Sequence, residues 1–460
     1  MKLAVLGGGG VRSPFLAKSI IAGADKIGLK KVVFMDDNEK KLRTFGVMAK
    51  KIAYLLNPNI DFEVTSNAIS AVKGADFVIT TLRVGEDEGR VKDERIALNA
   101  GVLGQETTGA GGFAMALRSV PTLKEYCKLI QKHAKQHAPI FNFTNPSGIV
   151  TQALRTEGFN TVYGICDSPS GFMSQLEELY GAKPGELTFK CFGLNHLSWF
   201  KEVKLRGKDI TKKVVNDERL YKQTEMHFFD RQLVRICGDV LLNEYLYFWY
   251  YRDQAVSSIL ASKKTRGETI LEINAKMMKA LEKFDIEKEL DKAFEVYMTY
   301  YLERENSYMA IESAKGRPVK RKVPTLKEYL YTPDSGGYAG VALNFIKAFY
   351  GGEKSEMILS VPNNGAIEGL NDEDVVEITC NIDKKGARPI KVGKVPEMQM
   401  NLIRTVKFYE KKAVEAIKKK SIDAAITALT IHPLVNSYSI AKKIVPEYLE
   451  AHKDYTGVWK

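Results

Sequence analysis

The chain has 460 residues, length enough for two or three domains at about 150 residues each. Its 45% hydrophobic and 27% charged content excludes a mainly disordered polymer. A net charge of +12 leaves three anionic partners open: nucleic acid, an acidic surface or an anionic substrate.

The opening run Met1–Leu6 passes straight into glycines. With no basic leader, long apolar stretch or small-residue cleavage site, no signal peptide is expected. No stretch approaches the roughly 18 apolar residues of a membrane span, so no membrane partner is expected. Five scattered cysteines, an odd number, argue against a disulfide framework and for a cytoplasmic protein. Internal repeats, heptads and low-complexity tracts are not seen.

In the first third, short β-branched runs predict strands at 2–6, 31–35, 62–65, 77–81, 140–143 and 161–165. Amphipathic patterns between them, such as 14–22 and 39–56, predict helices. Strand–helix alternation implies a parallel sheet covered on both faces. Beyond residue 170 the texture changes. A helix is expected at 171–180, strand-like segments over 187–205 around Asn195-His196, and a mostly helical stretch from 234 to 300. A hairpin is predicted over 375–392, turning at Lys384-Lys385-Gly386. Closing helices follow at 396–419, with Pro396 at the opening position, and at 422–452. The expected organisation is a dinucleotide-type domain over 1–170 and a larger mixed α+β domain over 171–460.

The first strand runs into Gly7-Gly8-Gly9-Gly10 and then a helix. Glycines let the backbone approach a pyrophosphate, whose charge meets the positive end of that helix. The second strand ends in Met35-Asp36-Asp37, and an acid there binds ribose hydroxyls and favours NAD. Asp36, nearer the strand, is the expected residue. Further clusters are Arg83-Val84-Gly85 with Arg90, Gly104–Phe113, Asn142–Gly148, Gly164–Pro169 and Gly193–His196. Three of them fall at or just beyond predicted strand ends, where open α/β sheets bind ligands.

Gly-Gln-Glu-Thr-Thr-Gly (104–109), Phe-Thr-Asn-Pro-Ser-Gly (143–148) and Gly-Leu-Asn-His (193–196) resemble the motifs of the NAD- and divalent-metal-dependent family 4 glycoside hydrolases. That group holds 6-phospho-β-glucosidases and 6-phospho-α-glucosidases. The resemblance covers nearly the whole chain and implies a lactate/malate dehydrogenase-like fold, an α/β architecture with a Rossmann-like sheet. It also implies bound NAD and Mn2+ or another divalent metal, and a homo-oligomer, either homodimer or homotetramer. Such enzymes are exceptions to hydrolysis by paired carboxylates. NAD takes hydride from C3 of the sugar, the C2 proton is removed, the C1–O bond breaks by elimination, water adds and the hydride returns.

By the same resemblance Cys166 and His196 match the metal ligands. Tyr245 matches the C2 base, workable only if a nearby cation stabilises its phenolate. Glu106 matches the carboxylate that tunes that base, and Arg90, Asn145 and Arg266 match substrate-binding positions. Asp167 matches the leaving-group acid of the α branch, where many β members carry Asn, while the Gly104–Phe113 and Phe143–Gly148 motifs look more like the β branch. The β reading is preferred. The glycine loop departs from the commoner family pattern at Val11-Arg12. Two rivals are a hydroxy-acid dehydrogenase, whose expected His–Asp pair is not found, and a non-catalytic NAD-binding sensor or nucleic-acid partner, suggested by the basic run Lys315–Lys322. No nucleic-acid module accompanies that run, so a phosphorylated sugar is the expected partner.

Overall fold

A computed structural model describes residues 1–315, 321–333 and 337–460. Six strands from the first third, β1 (Lys2–Leu6), β2 (Lys31–Met35), β3 (Asp61–Thr65), β4 (Phe77–Thr80), β5 (Ile140–Asn142) and β6 (Val162–Gly164), pair in parallel in the order β3-β2-β1-β4-β5-β6. Leu3–Leu6, Val32–Met35 and Phe77–Ile79 are all buried. Helices on both faces leave no solvated side, so these strands read as continuous apolar runs. Ser13–Gly23 follows the glycines, and Gly109–His133 packs against the helices Glu86–Asn99 and Ser147–Thr156. The expected helix at 39–56 forms, with a π-helical turn over Leu42–Gly46.

The sheet does not stop at β6. Strand β11 (Ser355–Pro362) pairs antiparallel with β6 through Ser360 and Gly164, and β12 (Val375–Asp383) and β13 (Gly386–Pro389) follow it, giving nine strands among the described residues. The predicted hairpin at 375–392 therefore exists, but it extends the first sheet. A second, antiparallel sheet holds β7 (Leu187–Leu194), β8 (Leu197–Leu205), β9 (Lys208–Asp209) and β10 (Leu241–Leu242). Its β10 lies in the stretch read as helical. Thr379 Oγ1 accepts from the Cys191 amide at 2.8 Å, tying this sheet to β12.

Pro396 caps the helix Glu397–Lys419 with extended backbone, one position earlier than expected, because its ψ of 144° lies outside the helical range. A satellite core of Phe45, Met277, Phe294, Tyr297 and Tyr329 packs helices of the second half against the first. Of the basic run at 315–322, residues 316–320 lie outside the described residues. Among the described residues no helix is long and apolar enough to cross a membrane.

Candidate active site

The carboxyl ends of β1, β4, β5 and β6 lie along one edge of the sheet, and the strand order reverses between β1 and β4, the point at which open α/β sheets form a ligand crevice. The amides of Gly7 and Gly8 both donate to the Met35 carbonyl at 2.8 Å. Gly7 takes φ +97°, and a Cβ there would lie 2.5 Å from the Thr81 carbonyl oxygen. Only glycine satisfies both demands. A Cβ on Gly10 would meet nothing nearer than 3.5 Å. That open backbone, at the start of an 11-residue helix, fits a dinucleotide pyrophosphate. Asp36 faces the loop: its Oδ2 accepts from Gly9 N at 2.9 Å and its Oδ1 from Asn38 N at 3.0 Å. Asp37 is exposed. Burial pushes the Asp36 carboxyl up, against the pull of those amides.

The loop continues into Arg12, whose guanidinium pairs with Asp167 at 3.2 Å and with Glu305 at 3.6 Å. Tyr297 Oη donates to the Val11 carbonyl at 2.8 Å. The departure from the family pattern at Arg12 thus ties the glycine loop to the turn after β6 and to the helix Leu290–Asn306.

A second group gathers arginines. On the helix Glu86–Asn99, Arg90 and Glu94 stand one turn apart and bond at 2.7 Å. Arg90 also reaches Glu106 at 3.2 Å, and Arg83 reaches it at 2.5 Å. Glu106 is held there by its neighbour Gln105, whose Oε1 accepts from the amides of Thr107 and Thr108 at 2.6 and 2.8 Å. Burial alone would raise the Glu106 pKa, but Arg83 and Arg90 outweigh it and hold the carboxyl well below the usual range. Arg266 is buried and donates to Ser307 Oγ at 2.5 Å and to the Arg304 carbonyl at 2.7 Å. Burial lowers its pKa to about 10. Arg304, half-buried, projects its charge onto Glu106, Asp87 and Arg266.

The third group joins three sequence-distant residues. Cys166 leaves β6, and His196 closes the β7–β8 turn at φ +60°. Tyr245 is positioned by Asn243, which accepts from its amide at 3.0 Å and donates to Ser168 Oγ at 3.1 Å. The Tyr245 and His196 rings stack at 3.7 Å and 12°, while Trp249 Nε1 donates to the His196 carbonyl at 3.2 Å. Cys166 Sγ lies 3.7 Å from His196 Nε2, a separation one ion can span at bond lengths of about 2.0–2.3 Å. Burial lowers the His196 pKa to about 3, so the imidazole is neutral and free to ligate. Burial, then Glu377 and Asp167, push the Cys166 thiol well up, and burial does the same to the Tyr245 phenol. Both need a nearby cation to ionise at neutral pH, so the donor set fits a metal. No cluster of three or more His, Cys, Asp or Glu side chains that could hold a metal is found among the described residues.

The structure therefore joins Cys166, His196 and Tyr245, joins Arg90 to Glu106, and places Glu106 close enough for its charge to act on His196 and Tyr245. Asn145 follows β5 at a cis peptide to Pro146, its side chain without a hydrogen bond to described residues. Asp167 faces Arg12. Sequence reading missed Arg83 as a partner of Glu106, and Arg304, Glu305, Tyr308 and Glu377 altogether. Tyr308 Oη donates to Glu244 Oε1 at 3.1 Å, next to Tyr245. Glu377 had a signal: it is an acid within the apolar run Val375–Cys380. Arg304 had none, standing among other charges on a helix.

The strand order and this crevice define a Rossmann-type α/β protein. The chain belongs to the family 4 glycosyl hydrolases: the family 4 glycosyl hydrolase profile matches residues 2–182 and that of the family's C-terminal domain matches 191–435. It is 31% identical over 462 residues to the 6-phospho-beta-glucosidase BglT of Thermotoga maritima, covering 99% of each chain. The solved 6-phospho-beta glucosidase from Thermotoga maritima with manganese, NAD+ and glucose-6-phosphate aligns at TM-score 0.80 and 28% identity over 99% of both chains. A 6-phospho-alpha-glucosidase from gut microorganisms, in complex with NAD and Mn2+, aligns at TM-score 0.80 and 26% identity over 100% of this chain and 98% of its own. Malate dehydrogenase from Plasmodium falciparum aligns at TM-score 0.50 and 14% identity over 90% and 99%, a likeness of fold alone, as the expected architecture required.

Proposed function

We propose that the chain hydrolyses 6-phospho-β-glucosides, such as phosphorylated cellobiose-type disaccharides, to glucose 6-phosphate, with NAD and a divalent metal. The carrying observation is the Cys166–His196 pair at 3.7 Å with the Tyr245 ring stacked on that histidine. 6-phospho-beta-glucosidases are similar to it over 99% of the chain. When bound, NAD supplies a hydride acceptor restored in each turnover and the ion a Lewis acid at the sugar oxygens.

The protein's own groups divide the remaining work. Gly7, Gly8, Gly9 and Gly10 receive the pyrophosphate and Asp36 the ribose hydroxyls. Cys166 and His196 hold the metal. Tyr245 takes the C2 proton at its Oη, and Glu106 with its arginines sets the charge around it. Arg90, Asn145 and Arg266 orient the phosphorylated sugar, and Arg304 adds a cation with no hydrogen-bond or ion-pair partner among the described residues. Guanidinium groups suit phosphate because their planar forks donate paired, charge-assisted bonds. Asp167, beside Cys166, supports the alternative of a 6-phospho-α-glucosidase, for which it is the leaving-group acid. The organisation we propose is a NAD-binding domain over 1–170 and a metal- and substrate-binding domain over 171–460, in a cytoplasmic homodimer or homotetramer that needs no nucleic acid.

A panel of chromogenic α- and β-glycosides, with and without 6-phosphate, tests this in the presence of NAD, Mn2+ and reductant. The expected result is hydrolysis of the β 6-phosphate without net NADH, abolished by chelation. Cleavage of only the α substrate selects the alternative. Net NADH production instead identifies a dehydrogenase, and salt-sensitive nucleic-acid binding without glycosidase activity overturns the enzyme reading.

A further inference from the structure

Glu377 stands on β12 with 2% of its surface exposed. Its Oε1 accepts from Asn195 Nδ2 at 2.9 Å and its Oε2 from Ser198 Oγ at 2.8 Å. No Lys, Arg or His of the described chain neutralises it. Burial raises its pKa to about 7; an acid so deep in a fold is costly, and apolar packing would serve a purely structural strand better. Its two donors flank His196, one residue before and two after, so the carboxylate grips the turn that aims the imidazole at Cys166. The Cys191 amide bonded to Thr379 fixes the same hairpin to the same strand.

A divalent ion held by one thiolate and one neutral imidazole keeps a net positive charge. We propose that Glu377 is a positioning residue for the cation at Cys166 and His196, holding the Asn195–Ser198 turn and supplying the negative charge that the ligands leave unbalanced. This rests on the metal-site reading above. Carboxylates behind a ligand commonly govern metal affinity by about 10–100-fold, and here that group comes from a strand some 180 residues after the ligand turn.

The test uses the full chain with NAD present, Mn2+ as the probe, and free Mn2+ read by electron paramagnetic resonance. Thermal melting is followed with and without the ion. Glu377→Gln keeps the shape and, with the Ser198 hydroxyl turned to accept, both hydrogen bonds. It is expected to weaken Mn2+ binding about 10–100-fold, to leave the metal-free Tm no lower than wild type, and to shrink the rise in Tm on adding Mn2+. A mere clasp between strand and hairpin, whose hydrogen bonds the glutamine keeps, leaves both the Mn2+ affinity within about twofold and the rise in Tm on adding Mn2+ as in wild type; that result overturns the proposal. Should Glu377→Gln not fold, Ser198→Ala, which removes one donor, must weaken Mn2+ binding by a smaller factor, and unchanged affinity is equally fatal. If the wild type shows no Mn2+ binding that His196→Ala removes, the metal site itself is misassigned. If it does and Glu377→Gln matches wild type, only the role of Glu377 falls.

Discussion

The glycine loop and the Cys166–His196–Tyr245 centre are linked through the Arg12–Asp167 pair but are built in opposite ways. The loop is made of backbone from a single strand–turn–helix unit, completed by one side chain, Asp36, 27 residues away. The centre is made of side chains from a strand end, a hairpin turn and a short helix, packed over Ser168, Asn243 and Glu377. Backbone sites survive most side-chain changes. Side-chain sites depend on every element that aims them, so single substitutions in the two regions are expected to fail differently.

The largest contrast comes from Tyr245→Phe. It removes the proposed base while leaving the ring stacked on His196, and kcat/KM is expected to fall about 10²–10⁴-fold. Mn2+ and NAD affinities, measured by titration, stay near wild type; near-normal turnover removes Tyr245 from the mechanism. Next is Arg304→Met. Losing one charged donor to phosphate is expected to raise KM for a 6-phosphorylated glycoside about 10–100-fold, with kcat little changed. An equal fall in kcat with constant KM places Arg304 outside the phosphate contact.

A pH titration sharpens the comparison further. Burial raises the Cys166 thiol well above its usual value and lowers His196 to about 3. Between pH 6 and 8 the metal-free cysteine keeps its proton and the histidine carries none to lose. Mn2+ binding then expels one proton from the thiol, and Glu377, which burial raises to about 7, releases a further fraction, so affinity rises at least about tenfold per pH unit. A flat profile shows that Cys166 does not ligate as thiolate. NAD binding, held by backbone, is expected to change little over the same range. The smallest effect is Asp36→Asn, expected to weaken NAD binding about tenfold while Mn2+ affinity holds; a change confined to metal binding reverses the assignment of the two regions.

The same difference in construction governed what could be read beforehand. Gly7–Gly10 and Asp36 were legible because strand, turn and helix are contiguous and glycine is demanded by φ at Gly7. Cys166, His196 and Tyr245 were found only through motif resemblance, since 79 residues separate the first from the last. Arg304 was not found, because nothing local separates it from the other charges of its helix, and Glu377 was passed over although it is an acid inside the apolar run Val375–Cys380. The strand at 241–242 was missed because two residues carry no periodicity, and it forms only against Trp199 and Phe200.

By itself, the sequence determined the parallel six-strand core, the glycine loop and the membership of the hydrolase family, all properties of contiguous pattern. Its net charge of +12 narrowed nothing without positions. The tertiary structure decided that β11–β13 close the first sheet, that Arg12 meets Asp167, and that Glu377 of β12 bonds Asn195 beside His196. Those pairings depend on how distant strands pack, and burial gives their charges a weight that no local run of residues records.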